Sequence, residues 1–318
     1  MMVNNRPDWR IPKQLFLGDR EETPGNQLQL HNNVCYDTDY LREARSILSR
    51  CDITHQYPDE FEVYKTISEY YEVPIDHLHL GFGLGELVPR LMQHLFMPWE
   101  VRLPTWSMVE NYKKQFNLPP VKPIEGWVEH HGNQVIYLAN PSTNRGTVEP
   151  PQVIEQLCNQ WRWVVSDEAY MDYCDETAMG LLEKYDNLII LKTVSKSMNI
   201  ASMRIGWMMC SNTDLIHDMQ RKRPSCVVNG IAAQLFIGLL PTMKDHIARM
   251  LETKEHLESE YDCMPSSANY VLMTQRPPEN ILANLELGVG THWNHAYYRM
   301  ALTNLKVWRH QLAKSRTM

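Results

Sequence analysis

No stretch of this 318-residue chain is apolar for the length of a bilayer crossing, which argues against a membrane-spanning helix. The first residues, MMVNN, lack the apolar core of a secretory leader, so a reducing cytosol is the expected compartment. Cysteine pairing is missing too. The seven cysteines (35, 51, 158, 174, 210, 226 and 263) are odd in number and never fall as Cys-x-x-Cys, which indicates neither a disulfide framework nor a zinc site. Nor is there a basic excess: 31 Lys and Arg against 38 Asp and Glu give a net charge of −7, the wrong sign for nucleic acid or an anionic membrane as main partner. A local basic pocket for a phosphate stays compatible with that balance. Internal repeats and low-complexity tracts are also absent. What remains, with 43% hydrophobic and 22% charged residues, is the composition of a soluble globular protein long enough for a sizeable core.

The organising stretch runs from Trp163 to Gly206. WVVSDEAY (163–170), NLIILKTVSK (187–196) and MRIG (203–206) each begin or end in an apolar run of strand length with an ionisable residue beside it. Loops at the carboxyl ends of strands are where open α/β sheets bind ligands. An Asp, a Tyr, a Lys and an Arg at such an edge suit pyridoxal phosphate, an aldehyde with an aromatic nitrogen and a phosphate. Taken singly, each has a plainer reading as a helix cap or a solvated charge.

SDEAY followed by TVSKSMNIASMRIG resembles the fold-type I pyridoxal-phosphate aminotransferases (class I/II), and within them the histidinol-phosphate aminotransferase branch. The resemblance implies that Lys196 is the Schiff-base lysine, Asp167 the partner of the pyridine nitrogen and Tyr170 a hydrogen-bond donor to the ring hydroxyl. It also implies that Arg204, Thr193 and Ser195 bind the phosphate. The Tyr-Pro-Asp entry at Tyr57 resembles the family segment that reaches the neighbouring subunit's cofactor. The plainer alternative is a tyrosine packed at a helix entry.

GFGLGE (81–86) opens a helix whose N-terminus exposes backbone N–H groups to an anion. Leu84 and Gly85 stand where the family has a small polar residue and an acid, so contacts there are expected from the backbone alone. VRLPTW (101–106) matches the strand that delivers a stacking aromatic, here Trp106. In NPSTNRG (140–146) the family's ring-binding asparagine is replaced by Thr143, with Asn144 beside it; either is a candidate for that bond. AYYRMALT (296–303) resembles the strand whose arginine, here Arg299, grips the substrate carboxylate. HWNH (292–295) has ligand spacing but no evident third ligand and reads as a loop.

Local patterns predict a helix over 39–48 and a second helix with Phe61, Tyr64, Ile67 and Tyr71 on its apolar face, capped by Asp59. A further helix follows the glycine turn, with Pro89 in its first turn. The expected fold is α/β: a large domain with a mostly parallel sheet flanked by helices, a smaller C-terminal α+β domain and an N-terminal arm. The expected bounds are arm 1–34, large domain 35–241 and small domain 242–318. The implied activity is a homodimeric transaminase using pyridoxal 5'-phosphate to move an amino group from a small-molecule donor to a 2-oxo acid acceptor. A decarboxylase on the same scaffold and a non-catalytic cofactor-binding module are the alternatives. The stretch GVGTHW (288–293) lacks the second arginine of histidinol-phosphate enzymes, so a substrate with a carboxylate is expected rather than a phosphate ester.

Overall fold

Strand residues alternate between two apolar cores, and that alternation sets the architecture. The computed structural model describes residues 28–30, 33–51, 57–106, 108–109, 111–112, 121–124, 132–278, 281–282, 284–286 and 297–315. Strands β1 (Leu78–Gly81), β2 (Trp99–Arg102), β3 (Val121–Ile124), β4 (Gly132–Ala139), β5 (Trp161–Asp167), β6 (Leu188–Thr193) and β7 (Gly206–Met209) form a seven-stranded sheet in the order β1-β7-β6-β5-β4-β2-β3. Neighbours are parallel except at β7, which is antiparallel to both β1 and β6. In β6, Leu188 and Ile190 enter one core while Ile189 and Leu191 enter the other, and Val164 and Val165 of β5 divide the same way. A strand buried on both sides needs cover on both faces.

Helices supply it: α1 (Thr38–Leu48), α2 (Phe61–Tyr71), α3 (Leu84–His94), α4 (Pro151–Gln160), the one-turn α5 (Val194–Ser197), α6 (Thr213–Lys222), α7 (Gly230–Leu239), α8 (Met243–Glu260) and α9 (Leu305–Ser315). Leu87 and Leu91 of α3 and Leu215 and Met219 of α6 join one core; Ile67 of α2, Leu157 of α4, Phe236 of α7 and Met250 of α8 join the other. After α8, β8 (Cys263–Met264), β9 (Tyr270–Met273), β10 (Asn284–Glu286) and β11 (Tyr297–Ala301) form an antiparallel sheet in the order β10-β11-β9-β8. The α/β expectation, a mostly parallel sheet with an α+β C-terminal part, matches this architecture.

Three local expectations need correction. The glycine-turn helix begins at Leu84, so Pro89 sits inside it rather than in its first turn. Proline cannot donate to the carbonyl four residues back. That carbonyl, Gly85 O, instead accepts from the Tyr112 hydroxyl at 3.1 Å. In α2 the buried face is Val63, Tyr64 and Ile67, while Phe61 is exposed because at about 100° per residue it falls to the side of that stripe. The cap position of α2 is Glu60, not Asp59, although Asp59 Oδ1 does accept from Phe61 N at 2.9 Å. The expectations at residues 1–27, His55 and 288–296, including His292 and His295, lie outside the described residues.

A buried carboxylate fastens the beginning of the described chain to its end. Asp37 caps α1 through Asp39 N at 3.0 Å, and it accepts from His246 Nδ1 and Arg249 Nε, both at 2.9 Å, and from Asn304 Nδ2 at 3.1 Å. Burial works against its charge, but the bonds from His246 and Arg249 outweigh burial and hold the carboxyl well below the usual range. Removing the carboxylate leaves the buried His246 ring and the Arg249 guanidinium without their shared acceptor, so Asp37→Ala should cost about 3–5 kcal/mol in urea unfolding near neutral pH. Because the folded pKa is depressed, this contribution is present above the ordinary carboxylate range and is lost as pH falls below about 4. Stability curves of the two proteins should therefore converge in acid.

Candidate functional site

The carboxyl ends of β4, β5 and β6 and the start of β7 share one edge: Ala139 pairs with Asp167, and Thr193 with Gly206. Over that edge lies a cavity of about 470 Å³, within the usual range for small-molecule sites. It is lined by Lys196, Asp167, Tyr170, Arg204, Thr193 and Ser195. Leu84, Gly85, Trp106, Thr143 and Arg299 line it as well.

Each side chain is placed by local structure. Thr193 ends β6 and caps α5: its hydroxyl accepts from Ser195 N at 3.2 Å, donates to Ile205 O at 2.8 Å and lies 3.0 Å from Ser195 Oγ. That single turn lifts Lys196 off the sheet. The chain then returns to β7 through Arg204, in the left-handed region at φ 57°, with its guanidinium bonded to Ala201 O at 2.9 Å. Two glycines let the start of α3 approach this loop. A Cβ on Gly83 would lie 2.4 Å from Arg204 Nη2, and one on Gly206 would lie 3.0 Å from Leu84 N. The N–H groups of Leu84 and Gly85 have no backbone acceptor among the described residues, so the helix N-terminus, Arg204 and two hydroxyls converge on one end of the cavity.

At the carboxyl end of β5, Asp167 is buried, accepting from Ala169 N at 3.1 Å and from the Tyr137 hydroxyl of β4. Burial pushes its carboxyl up to about 6 against the pull of those bonds and of Lys196. Lys196 is pushed down to about 8, first by burial and then by the charge of Arg299, with Cys35 and Asp167 acting in the opposite sense. Its Nζ lies 5.8 Å from the centre of the Tyr170 ring. Arg299 of β11 is largely buried, donating from Nη1 to Thr143 O at 3.0 Å and lying 5.7 Å from the Tyr270 ring.

Lys192, within β6 and four residues before Lys196, has the opposite surroundings. It points to the opposite face, 3.1 Å from Asp172 and 3.7 Å from Glu168, and those two carboxylates outweigh burial and raise its pKa.

Two expected site residues do not line the cavity. Tyr57 is 89% exposed on the surface before α2. Asn144 sits in the turn that Gly146 closes at φ 64°, and its carbonyl accepts from the Tyr297 hydroxyl at 3.0 Å, so the turn carries it toward β11. Of the two candidates, Thr143 is the one at the cavity. Sequence reading missed Asn33, which lines the cavity with its amide 3.0 Å from the Tyr170 hydroxyl, and Tyr137 beneath Asp167. A tyrosine inside a buried strand, whose hydroxyl must find a partner, was a usable signal for Tyr137. For Asn33 the signal was slighter, an Asn-Asn pair able to adopt the left-handed backbone it takes at φ 52°.

The model of the family "Aminotransferase class I and II" matches residues 124–311. A histidinol-phosphate aminotransferase of Pseudomonas putida is 28% identical over 254 residues, covering 72% of this chain and 72% of its own. Two solved structures share the fold with a TM-score of 0.72. The histidinol-phosphate aminotransferase of Sinorhizobium meliloti in complex with pyridoxal-5'-phosphate is 14% identical, covering 90% of this chain and 89% of that one. The L-threonine-O-3-phosphate decarboxylase of Porphyromonas gingivalis is 15% identical, covering 91% and 98%.

A carboxyl with a raised pKa makes a stability prediction. The folded protein holds Asp167's proton more tightly than the unfolded chain, so this group's stabilising effect is present below about pH 4 and is lost as pH rises through about 6. Without cofactor, Asp167→Asn should therefore be more stable than the parent by about 1–3 kcal/mol near pH 8, with the gain closing between about pH 6 and 4. Urea unfolding at stepped pH measures it.

Proposed function

Since the chain belongs to the class I and II aminotransferases, we propose that it transfers an amino group between an amino acid or related amine and a 2-oxo acid, with pyridoxal phosphate held through Lys196. The observation that carries this reading is the convergence in one cavity of a lysine whose pKa is brought down to about 8 and a buried carboxylate. The residues present fit the cofactor. Its phosphate suits the end formed by Thr193, Ser195, Arg204 and the N–H groups opening α3. Its ring suits the face of Trp106, with Asp167 at the nitrogen and Tyr170 at the hydroxyl. When bound, pyridoxal phosphate supplies a carbonyl that takes up amino groups and a ring that draws off electron density.

The chain's own groups do the rest. Lys196, with its pKa near 8, is partly neutral at physiological pH and able to act as nucleophile and, once released, as the base that moves a proton at the substrate's α-carbon. Asp167, ionised above about pH 6, keeps a proton on the ring nitrogen. Arg299 is pre-oriented by Thr143 O for a carboxylate. Since Arg299 is one cause of Lys196's low pKa, a substrate carboxylate that neutralises it makes Lys196 a stronger base on arrival.

Among the described lining residues, Arg299 is the cation remaining for substrate once Lys196 and Arg204 serve the cofactor, which supports a carboxylate-bearing amine over histidinol phosphate. The intact set of Lys196, Asp167, Tyr170 and Arg204 supports catalysis over a merely cofactor-binding module. The same reading divides the chain into an arm to residue 34, a large domain over 35–241 and a small domain over 242–318. The antiparallel sheet after α8 supports the last boundary, and the lacing of the first described segment to β11, with Ala301 N donating to Leu30 O at 2.8 Å, supports an arm held in place. We place the enzyme in the cytoplasm as a homodimer. Tyr57, Phe61 and Phe82, all solvent-exposed apolar residues, with Phe82 5.8 Å from Arg204, support a partner subunit covering the phosphate end.

Borohydride reduction of the protein with pyridoxal phosphate should place the label on the peptide containing Lys196; a label on another lysine ends the proposal. Presented with amino donors, the yellow cofactor should convert to its amine form, with an ordinary amino acid faster than histidinol phosphate and without release of carbon dioxide. Carbon dioxide in step with substrate loss selects the decarboxylase instead.

Sedimentation equilibrium should give twice the chain mass. Tyr57→Asp, at an exposed position, should shift it toward monomer and weaken cofactor affinity while leaving the thermal unfolding of the monomer within about 0.5 kcal/mol. An unchanged dimer with unchanged affinity removes Tyr57 from the interface.

A further inference from the structure

We infer that Asn33 is a positioning residue that aims the Tyr170 hydroxyl at the cofactor ring, making good through a different part of the chain the amide absent at Thr143. The inference rests on the aminotransferase reading. Asn33 is 3% exposed and lines the cavity. Its Nδ2 lies 3.0 Å from the Tyr170 hydroxyl and 3.5 Å from Thr143 O. A carbonyl only accepts, so the amide nitrogen faces both groups, and the Tyr170 oxygen receives a hydrogen bond. Its own proton is thereby left to be donated elsewhere.

The electrostatics agree with that direction. Burial pushes the Tyr170 phenol up to about 12, and the bond from Asn33 pulls against burial. A phenol that accepts a hydrogen bond is a better donor, and the oxygen it serves in this reading is the ring hydroxyl of the cofactor.

Asn33 does not hold this place for the sake of the fold. Its backbone is left-handed at φ 52°, and its Oδ1 is buried with no hydrogen-bond partner among the described residues. Both features cost stability. The backbone is pinned by Asn269, whose Nδ2 donates to Asn33 O at 3.0 Å, so the amide meets Tyr170 in a fixed direction.

The test reads the cofactor's absorbance against pH. A donor to the ring oxygen stabilises its deprotonated form, so losing that donor makes the bound chromophore keep its proton to higher pH. Asn33→Gly permits the left-handed backbone, changes no charge and removes the amide. Its titration midpoint should rise by about 0.5–1 pH unit. Asn33→Asp keeps the shape, offers only acceptors and turns the Tyr170 proton away, so its midpoint should rise at least as far. In a Tyr170→Phe background, Asn33→Gly should no longer shift the midpoint. A merely structural role predicts lower melting temperatures with the wild-type midpoint, and that result in either folded variant overturns the inference. A wild-type protein that takes up no pyridoxal phosphate overturns the underlying reading as well, which distinguishes the two failures.

Discussion

A concentration of positive charge in a confined space is the constraint on which the site depends. Among the described residues, Lys196, Arg204 and Arg299 line the cavity with one carboxylate, Asp167, in a chain whose net charge is −7. In a low-dielectric enclosure this imbalance raises the free energy of each further positive charge. After burial it is the second reason why the Lys196 pKa is pushed down to about 8, and it makes the cavity attractive to a phosphate and a carboxylate. The fold bears the strain by holding each cation from behind: Arg204 on Ala201 O and Arg299 on Thr143 O, two backbone carbonyls that cannot leave.

Lys192 and Lys196 lie four residues apart and carry opposite electrostatics. Lys192 is locked between Asp172 and Glu168, which raise its pKa against burial, whereas burial lowers the pKa of Lys196, with Arg299 and Arg204 adding to it. Glu168 and Asp167 are neighbours serving the two lysines on opposite faces of one strand end, a consequence of the two-residue period. Composition alone does not separate such a pair. Spacing to Arg204 does.

That contrast explains how much was legible. Asp167, Tyr170, Thr193, Ser195, Lys196 and Arg204 follow strand ends in short motifs, so their convergence could be read from local order, as could the sheet itself from its β-branched runs. Arg299 needed a family pattern, being on another sheet. Asn33 was marked locally only by its Asn-Asn pair, and its meeting with Tyr170 across 137 positions has no local signature. Pro89 was misplaced because the helix starts just after Gly83, packed against Gly206, with no capping side chain to announce it. Asn144 and Thr143 were left as alternatives because only the course of the turn at Gly146 separates them.

The one antiparallel strand of the central sheet has a topological effect on the chemistry. Because β7 runs against β6, the chain leaves β6 at Thr193 and re-enters at Gly206 on the same edge, and both Lys196 and Arg204 ride on that one connection. A parallel β7 would have needed a crossover to the far side of the sheet, and Arg204 would have entered from the wrong edge. The span between the amine and the guanidinium is therefore a property of a single loop, independent of how separate elements pack. Changing the number of residues between 197 and 203 would alter that span within a single connection, without exchanging the strands that the connection joins.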